Sequence, residues 1–314
     1  KYFPSPKYKR QVYDGKINEA EYGKQKASEF LHIYNNLLED YNLKLKLSTN
    51  SEGFIEKWYI DSIIKEIYLA NDFIKQIKDR DIKAVMQVIL SRTMRSCRAT
   101  THSDLATLIK PIFTTYYCTK HKKICKPLFS IIKWWNTYSK DTLKRLKEFR
   151  KVQTDTEQIC FAGDSSVIKI DEKITSYPKL ADIYKQKKIK GIFTSPPYVG
   201  LIDYHEQHAY AYEIFNFPRN DQLEIGPMAK GKGSAARDTY VEGVSKVFNN
   251  CKKFLCKNYE VFIVANDKFN LYPDIARKAE MEIIDVYKRP VLNRTEKDKG
   301  AYSESIFRMK ERSE

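Results

Sequence analysis

The sequence lacks any long hydrophobic segment. None of its apolar runs approaches the roughly 18 residues that a membrane-spanning helix needs. The basic residues 1–10 are followed by no apolar stretch of the kind found in secretory signals, so we expect no signal peptide. The first residue is Lys rather than Met, which fits a chain processed or cut from something longer.

Apolar residues nevertheless make up 42 % of the 314 residues, enough for a sizeable core. At roughly 100–200 residues per domain, the length predicts two domains, or one large domain with additions.

Cysteine is also scarce. Six irregularly spaced Cys are too few for a disulfide scaffold, so we expect a reducing, cytoplasmic compartment. The run CTKHKKIC offers Cys118, His121 and Cys125 as zinc ligands, with Cys97 or His102 as a fourth. Buried thiols and a surface His explain the same residues, and we assign no metal.

Acidic residues are few in the first half of the chain. The formal net charge is +16, and residues 1–150 carry 29 Lys and Arg against 16 Asp and Glu, whereas residues 151–314 carry 27 against 24. A basic excess held in one half indicates a polyanionic partner such as double-stranded DNA. A solvated basic surface is the alternative.

The first 150 residues are predicted to be mostly helical. Apolar positions recur at helical spacing over 17–43, 54–70 and 82–90. Residues 139–150 are typical of a basic amphipathic helix, capped by Ser139 or Asp141.

Three arginines follow the last of those apolar stretches at intervals of three. Arg92, Arg95 and Arg98 would share one face if that helix continued, and guanidinium groups on one face suit phosphate oxygens. A packed or salt-bridged face is the alternative. We expect a helical, basic, DNA-contacting region over residues 1–150.

After residue 150, strands alternate with helices, which predicts an α/β region over residues 151–314 with a mostly parallel sheet. The strand at 259–265 is almost wholly apolar and is therefore expected to be central. The predicted strands are 158–162, 190–193, 259–265, 281–291 and 304–309, and the predicted helices are 237–257 and 271–279.

An unusual segment, TSPPY, occupies residues 194–198 at the end of a predicted strand. Two consecutive prolines fix φ and remove two amide donors, so their carbonyls face outward as acceptors. With the hydroxyl of Ser195 and the ring of Tyr198, such a corner can accept hydrogen bonds from an amino group and stack a planar ring. In open α/β sheets, ligands bind beyond the carboxyl ends of the strands. A rigid structural turn is the alternative.

TSPPY after a short apolar strand resembles motif IV of the amino-group DNA methyltransferases, and its Ser resembles the cytosine-N4 type. The runs TSPPYVGLIDYHEQHAYAYE, LSRTMRSCRATTHSDL and FAGDSS are similar to a restriction–modification branch of that family. The resemblance implies a Rossmann-like methyltransferase sheet and S-adenosylmethionine as cofactor. It also implies a target base flipped out of the duplex.

The same resemblance implies the roles of the segment TSPPY. Tyr198 would stack on the flipped base, while Ser195 and the carbonyl of Pro196 would accept hydrogen bonds from its exocyclic amino group. The amino nitrogen would then attack the methyl carbon directly. Thr194 and Pro197 would hold the segment in shape.

Two further segments are candidates for binding. FAGDSS resembles motif III of the family, which implies that Gly163, Asp164 and Ser165 lie near the cofactor adenosine, although Asp164 could equally cap a following turn. The run GPMAKGKGSAARD is interpreted as a mobile basic loop that closes on DNA through Lys230 and Lys232. The run HEQH at 205–208 lacks the spacing of a helical zinc motif.

The glycine-rich cofactor motif I of the family is missing from this sequence. We therefore expect a second polypeptide, or a segment removed upstream, to supply the strands that carry it. The first hypothesis is one catalytic half of a heterodimeric DNA methyltransferase, specific for cytosine N4 or alternatively for adenine N6. The others are a non-catalytic DNA-recognition subunit, and a methyltransferase that acts on RNA or on a protein amide.

Overall fold

A computed structural model describes most of the chain from residue 53 onward. The described residues are 28, 29, 32, 36, 53–101, 108, 110–118, 123–125, 130–290 and 303–312. Most of the predicted helical segment 17–43 lies outside them, as do His102 and His121.

The chain divides into two compact units. The first contains residues up to Gln153 together with His205–Arg219, and the second contains Thr154–Tyr204 and the residues from Asn220 onward. Residues 205–219 thus pack with the first unit, although only residues 199–204 separate them from TSPPY in the sequence.

In its described residues, the first unit is built from helices and a short pair of antiparallel strands. No helix in the described residues is long and apolar enough to cross a membrane. Its elements are α1 (Phe54–Trp58), α2 (Asp61–Lys75), α3 (Arg80–Cys97), β1 (Tyr116–Cys118), β2 (Lys123–Cys125), α4 (Ile131–Arg150), α7 (Tyr204–Gln207, whose first residue belongs to the second unit) and α8 (Ala209–Phe215).

One face of α2 forms much of the core of this unit. Ile63, Ile67 and Ile74 are buried there, at spacings that keep them on one side of the helix, and they pack in one cluster with Leu90 and Met94 of α3. Burial of this apolar face stabilises the helices more than their intrinsic propensity does.

Side chains also fix where these helices begin. Asp79 caps α3 by accepting hydrogen bonds from the amides of Asp81 and Ile82, each at 2.9 Å. Ser130 caps α4 in the same way. The predicted cap at Ser139 or Asp141 is therefore wrong, because both residues lie inside a helix that begins eight residues earlier than Ser139.

The second unit holds a four-stranded sheet and its covering helices. Its elements are α5 (Ile170–Ile174), α6 (Pro178–Gln186), β3 (Ile189–Thr194), α9 (Ser234–Lys252), β4 (Leu255–Ala265), α10 (Tyr272–Lys278), β5 (Met281–Pro290) and β6 (Ser303–Glu311).

The strand order in this sheet is β3-β4-β6-β5. β3 and β4 are parallel, whereas β6 is antiparallel to both β4 and β5. The expectation of a mostly parallel sheet is therefore wrong for the neighbouring pairs. β3, β4 and β5 do run in one direction, as their intervening helices predict, but β6 inserts between two of them. The mixed α/β architecture is consistent with a methyltransferase fold.

The centre of the sheet confirms the prediction for 259–265. Val261 and Ile263 of β4 are fully buried, with α9, α10 and β6 contributing to the same core. The strands predicted at 190–193, 281–291 and 304–309 are also present.

Two predicted elements differ from the structure. Residues 158–162 form no strand, since among the described residues no neighbouring strand pairs with them. The helix predicted at 237–257 runs from Ser234 to Lys252, because Leu255 already begins β4.

We expect Ile263→Ala to lower the free energy of unfolding by about 2–5 kcal/mol, since it removes buried methylene groups and leaves a cavity. Urea denaturation measures this. The matched control is Val286→Ala on β5, whose side chain is 48 % exposed and whose loss should cost less than about 0.5 kcal/mol. Equal losses for the two variants would contradict the central position of β4.

Candidate functional site

The segment TSPPY leaves the sheet at the carboxyl end of β3. Thr194 is the last residue of the strand and is paired with Ile263 of the parallel strand β4. Ser195 is exposed, while Pro196, Pro197 and Tyr198 are partly buried. The segment therefore lies where ligands bind in α/β sheets, at an edge formed by the ends of two parallel strands.

The carbonyl of Pro197 is held by a side chain from α9. The hydroxyl of Tyr240 donates a hydrogen bond to this carbonyl at 2.8 Å, and the hydroxyl of Tyr272 lies 3.3 Å from that of Tyr240. Because Tyr240 has one proton and donates it to Pro197, Tyr272 is the donor in the second contact. Burial raises the pKa of Tyr240 to about 12, so the phenol remains a protonated donor at neutral pH.

Tyr272 is itself fixed at the start of α10. The carboxylate of Asp267 accepts hydrogen bonds from the amides of Leu271 and Tyr272, at 2.6 and 3.2 Å. Burial also raises the pKa of Tyr272. A chain of side chains thus connects the β4–α10 turn to the double-proline corner.

The hydroxyl of Tyr198 is held by a side chain from β6. This hydroxyl donates to Glu304 at 2.8 Å, and the second oxygen of Glu304 lies 2.5 Å from Arg289. Glu304 and Arg289 are paired across β6 and β5, so their side chains leave the sheet together. The ring also packs against the core of the sheet. Tyr198 is therefore a fixed group rather than a mobile one.

The basic loop lies beside the double-proline corner. The amide of Gly200 donates to the carbonyl of Gly226 at 2.9 Å, and Asp203 accepts from the amide of Ala229 at 2.8 Å. Gly200 has φ +63, and a side chain there would meet the carbonyl of Gly231 and the side chain of Lys232. The structure thus brings Lys232, and with it Lys230, next to the segment that follows TSPPY.

The segment Gly163–Ser165 follows no strand. Asp164 Oδ1 accepts hydrogen bonds from the amide and hydroxyl of Ser166, at 2.9 and 2.8 Å, which is the turn-capping alternative. Asn250 of α9 donates to the carbonyls of Ser165 and Ile168. Gly163 and Asp164 line an open cavity of about 320 Å³.

The three arginines do not share a helix face. α3 ends at Cys97, and Arg98 turns away with extended backbone angles. Its side chain is 1 % exposed, and its Nη1 donates to the carbonyl of Gln207 at 3.1 Å. Arg98 is buried in this structure and does not present its guanidinium to a surface.

The other two arginines differ from each other. Arg92 pairs with Asp141 at 2.6 Å and lies 4.3 Å from the ring of Tyr138. Hydrogen bonds from Arg92 and Arg145 hold the pKa of Asp141 below its usual range. Arg95 is exposed and forms no ion pair within the described part of the chain, so it is the accessible member of the three.

The metal hypothesis gains no support in the described residues, which contain no group of three or more possible metal ligands. Cys118 and Cys125 lie on the paired strands β1 and β2, and His121 falls outside the described residues. His205 stacks on Tyr212 instead, with ring centroids 5.2 Å apart.

Comparison with known proteins then gives one match over almost the whole chain. Over 313 residues, 99 % of this chain, it is 45 % identical to Type II methyltransferase M.MjaII of Methanocaldococcus jannaschii. The chain resembles a type II methyltransferase. It spans 59 % of the length of that relative. No family model and no solved structure matches the chain.

The sequence alone did not identify Tyr240, Glu304 or Arg289. Tyr240 looks like one more apolar position of a helix, and Glu304 is an ordinary polar residue at a strand start. Their contacts join residues 43 and 106 positions apart, which no local pattern reports.

We expect Tyr240→Phe to lower the free energy of unfolding by about 1–3 kcal/mol at neutral pH, because the carbonyl of Pro197 loses its donor. Chemical denaturation measures this, with Tyr287→Phe on the exposed edge strand as the control.

The variant Tyr240→Phe should also change how the free energy of unfolding depends on pH above pH 10. The Tyr240 pKa is about 12 in the folded protein against an ordinary 10.0, so the unfolded chain loses this proton first. Stability from this group is complete below pH 10 and declines toward pH 12. Tyr240→Phe should therefore lose less stability than the wild type over this interval. An unchanged alkaline profile would contradict the buried phenol.

Proposed function

We propose that this chain is part of an S-adenosylmethionine-dependent DNA methyltransferase of a restriction–modification system, and that it methylates the exocyclic amino group of a flipped base. The observation that carries the proposal is the double-proline corner at the carboxyl end of β3, in a chain 45 % identical to a type II methyltransferase over 313 residues. The overall charge of +16 suits a DNA substrate.

The chemistry asks two things of the corner. It must offer acceptors to an amino group, and Ser195 Oγ and the carbonyl of Pro196 are acceptors on a segment whose two prolines have no amide of their own. It must also keep those acceptors still, and the hydrogen bond from Tyr240 to Pro197 does so. Fixed acceptors cost no reorganisation when the amino nitrogen becomes the nucleophile.

Tyr198 is the proposed stacking group for the extruded base. A ring held by Glu304 and by the sheet core loses little freedom when a base packs against it. Lys230 and Lys232, on the loop tied to the corner, are the proposed phosphate contacts in this unit. In the first unit, Arg95 is the accessible candidate, whereas Arg92 and Arg98 are engaged within the protein.

S-adenosylmethionine would supply the activated methyl group. Asp164 fits one part of it, because its second oxygen, Oδ2, has no partner among the described residues and can accept from a ribose hydroxyl. Gly163 and Ser165 flank that carboxylate. These residues suit the adenosine portion.

Cytosine N4 is the proposed target because Ser195 occupies the second position of the motif, and adenine N6 is the alternative. A DNA-recognition subunit without catalysis, or an enzyme for RNA or protein amides, would also carry a basic surface. The identity of the methylated product separates these functions.

A second polypeptide is proposed to complete the sheet. β3 forms an outer strand of the described sheet, and Phe193 on it is 79 % exposed. An outer strand with free backbone groups is a template for pairing with another strand. The relative is longer than this chain, which spans 59 % of it. We therefore propose that further strands, on a partner or on the rest of a longer chain, pair with β3 and hold the methionine end of the cofactor.

We expect Ser195→Ala and Tyr198→Ala to lower methyl transfer by the completed enzyme by at least about 100-fold, because catalytic positioning is worth several kcal/mol. The enzyme would be this chain co-expressed with the product of the neighbouring gene. Mass spectrometry of digested DNA identifies the nucleoside, and N4-methylcytosine is the expected product.

Tyr287→Ala, on the opposite edge of the sheet, is the control and should retain activity. Unchanged methylation by Ser195→Ala and Tyr198→Ala would rule out the assigned site, and N6-methyladenine would reverse the choice of base.

The isolated chain should bind S-adenosylmethionine weakly, and the completed enzyme tightly, in isothermal titration calorimetry. Phe193→Asp should weaken association with the partner, since a charge would be buried at the paired edge. Val286→Asp on the other edge strand is the matched control. Tight binding by the chain alone would remove the proposal of a second polypeptide.

A further inference from the structure

A second cavity lies at the end of the sheet opposite to TSPPY. It has a volume of about 530 Å³ and opens where α9 ends and β4 begins. Because β3 and β4 are parallel, the amino ends of both strands meet here, away from the carboxyl end that carries the double-proline corner. The lining side chains that bear charge or a hydroxyl are Lys252, Lys253, Lys257, Tyr259, Glu280 and Glu311.

Tyr259 brings an unused hydrogen-bonding group to this cavity. The residue is 4 % exposed, and its hydroxyl is buried without a hydrogen-bond partner among the described residues. Burial, reinforced by the nearby carboxylates of Glu311 and Glu280, raises its pKa to about 12, so the hydroxyl keeps its proton at neutral pH. A buried hydroxyl without a partner is costly, and an acceptor oxygen would relieve that cost.

The three lysines that line the cavity differ in whether a carboxylate balances their charge. Lys252 lies 3.1 Å from Glu280. Lys253 contacts only the amide oxygen of Asn250, at 3.5 Å, and Lys257 has no hydrogen bond or ion pair within the described chain. Three lysines against two carboxylates leave the cavity net positive.

Positive charge continues beyond the cavity along the neighbouring strand. The amide of Ile189 donates to the carbonyl of Phe254 at 3.2 Å, and Ile189 is paired with Leu255, which lines the cavity. The segments 185–190 and 252–257 thus meet at Ile189 and Leu255. Together they contain seven lysines and no acidic residue. We call these two segments the lysine rim.

We propose that this cavity binds a phosphate group of a nucleic-acid backbone, with Lys253, Lys257 and the hydroxyl of Tyr259 as its donors. Phosphate oxygens are acceptors for both ammonium and hydroxyl groups. The net charge of the cavity is small, so a free phosphate would gain little from binding there. A phosphate within a nucleic-acid backbone gains more, because the phosphates next to it can contact the other lysines of the lysine rim. The choice of nucleic acid rests on the proposed function, and it adds a DNA contact remote from the corner.

The test measures binding of a short DNA duplex to the full chain by fluorescence anisotropy over a range of salt concentrations. Log K for DNA binding falls as log salt rises, and each lost lysine–phosphate contact should make this negative slope less steep by about 0.9. The double variant Lys253→Gln, Lys257→Gln should therefore bind the duplex less tightly, and its slope should be less steep by about twice that amount. Lys246→Gln, an exposed lysine in the middle of α9, is the matched control and should leave the slope unchanged. Equal behaviour of the double variant and the wild type would overturn the proposal.

Tyr259→Phe separates a binding role from a structural one. Because the hydroxyl has no partner in the described protein, the variant should be as stable as the wild type or more so, yet should bind the duplex less tightly. A loss of stability with unchanged binding would overturn the proposal.

Tripolyphosphate distinguishes the source of the phosphate. It should compete with the duplex at the lysine rim only weakly. Tight binding of tripolyphosphate, with no effect of the lysine variants on the duplex, would overturn the assignment to a nucleic-acid backbone.

Methylation reports on the other site independently. Ser195→Ala should lower methyl transfer by at least about 100-fold while leaving the contribution of the lysine rim to DNA binding intact. If the completed enzyme does not methylate DNA but the lysine variants still weaken duplex binding, the proposed function fails and the phosphate site stands.

Discussion

The hydrogen bond from Tyr240 to the carbonyl of Pro197 is the constraint on which the candidate site depends. Consecutive prolines remove the amide donors that would normally anchor a corner through backbone pairing. The protein replaces them with a phenol from α9, and Tyr272 and Asp267 hold that phenol in turn. The corner can therefore keep its remaining acceptors directed outward.

The inserted strand β6 also contributes a residue that positions this site. By entering between β4 and β5, it places Glu304 where the hydroxyl of Tyr198 can reach it, with Arg289 beside it on β5. A purely parallel arrangement would have given Tyr198 different neighbours. The mixed sheet thus has a direct consequence for the aromatic ring that we propose as the base-stacking group.

The two ends of the sheet differ in their chemistry. The carboxyl end carries hydrogen-bond acceptors on a rigid corner, and a glycine-containing basic loop lies beside it. The amino end carries lysines and a buried phenol without a partner in the described residues. In our two proposals, the carboxyl end contacts the target base and the amino end contacts a phosphate of the DNA backbone. The positive charge of the chain would then contribute to DNA binding at both ends of the sheet.

The sequence by itself determined the existence of β3, β4, β5 and β6 and the position of the double-proline corner. Short apolar runs predict buried strands, and two consecutive prolines restrict the backbone wherever they occur. The sequence misjudged residues 158–162, which have strand-like composition but no strand beside them. It also misjudged Arg98, since three-residue spacing indicates a shared face only while the helix continues. Tertiary structure alone decided the insertion of β6, the packing of residues 205–219 with the first unit, and the fixation of Tyr198. These depend on contacts such as that between Tyr198 and Glu304, 106 positions apart, whose free energy no local pattern contains.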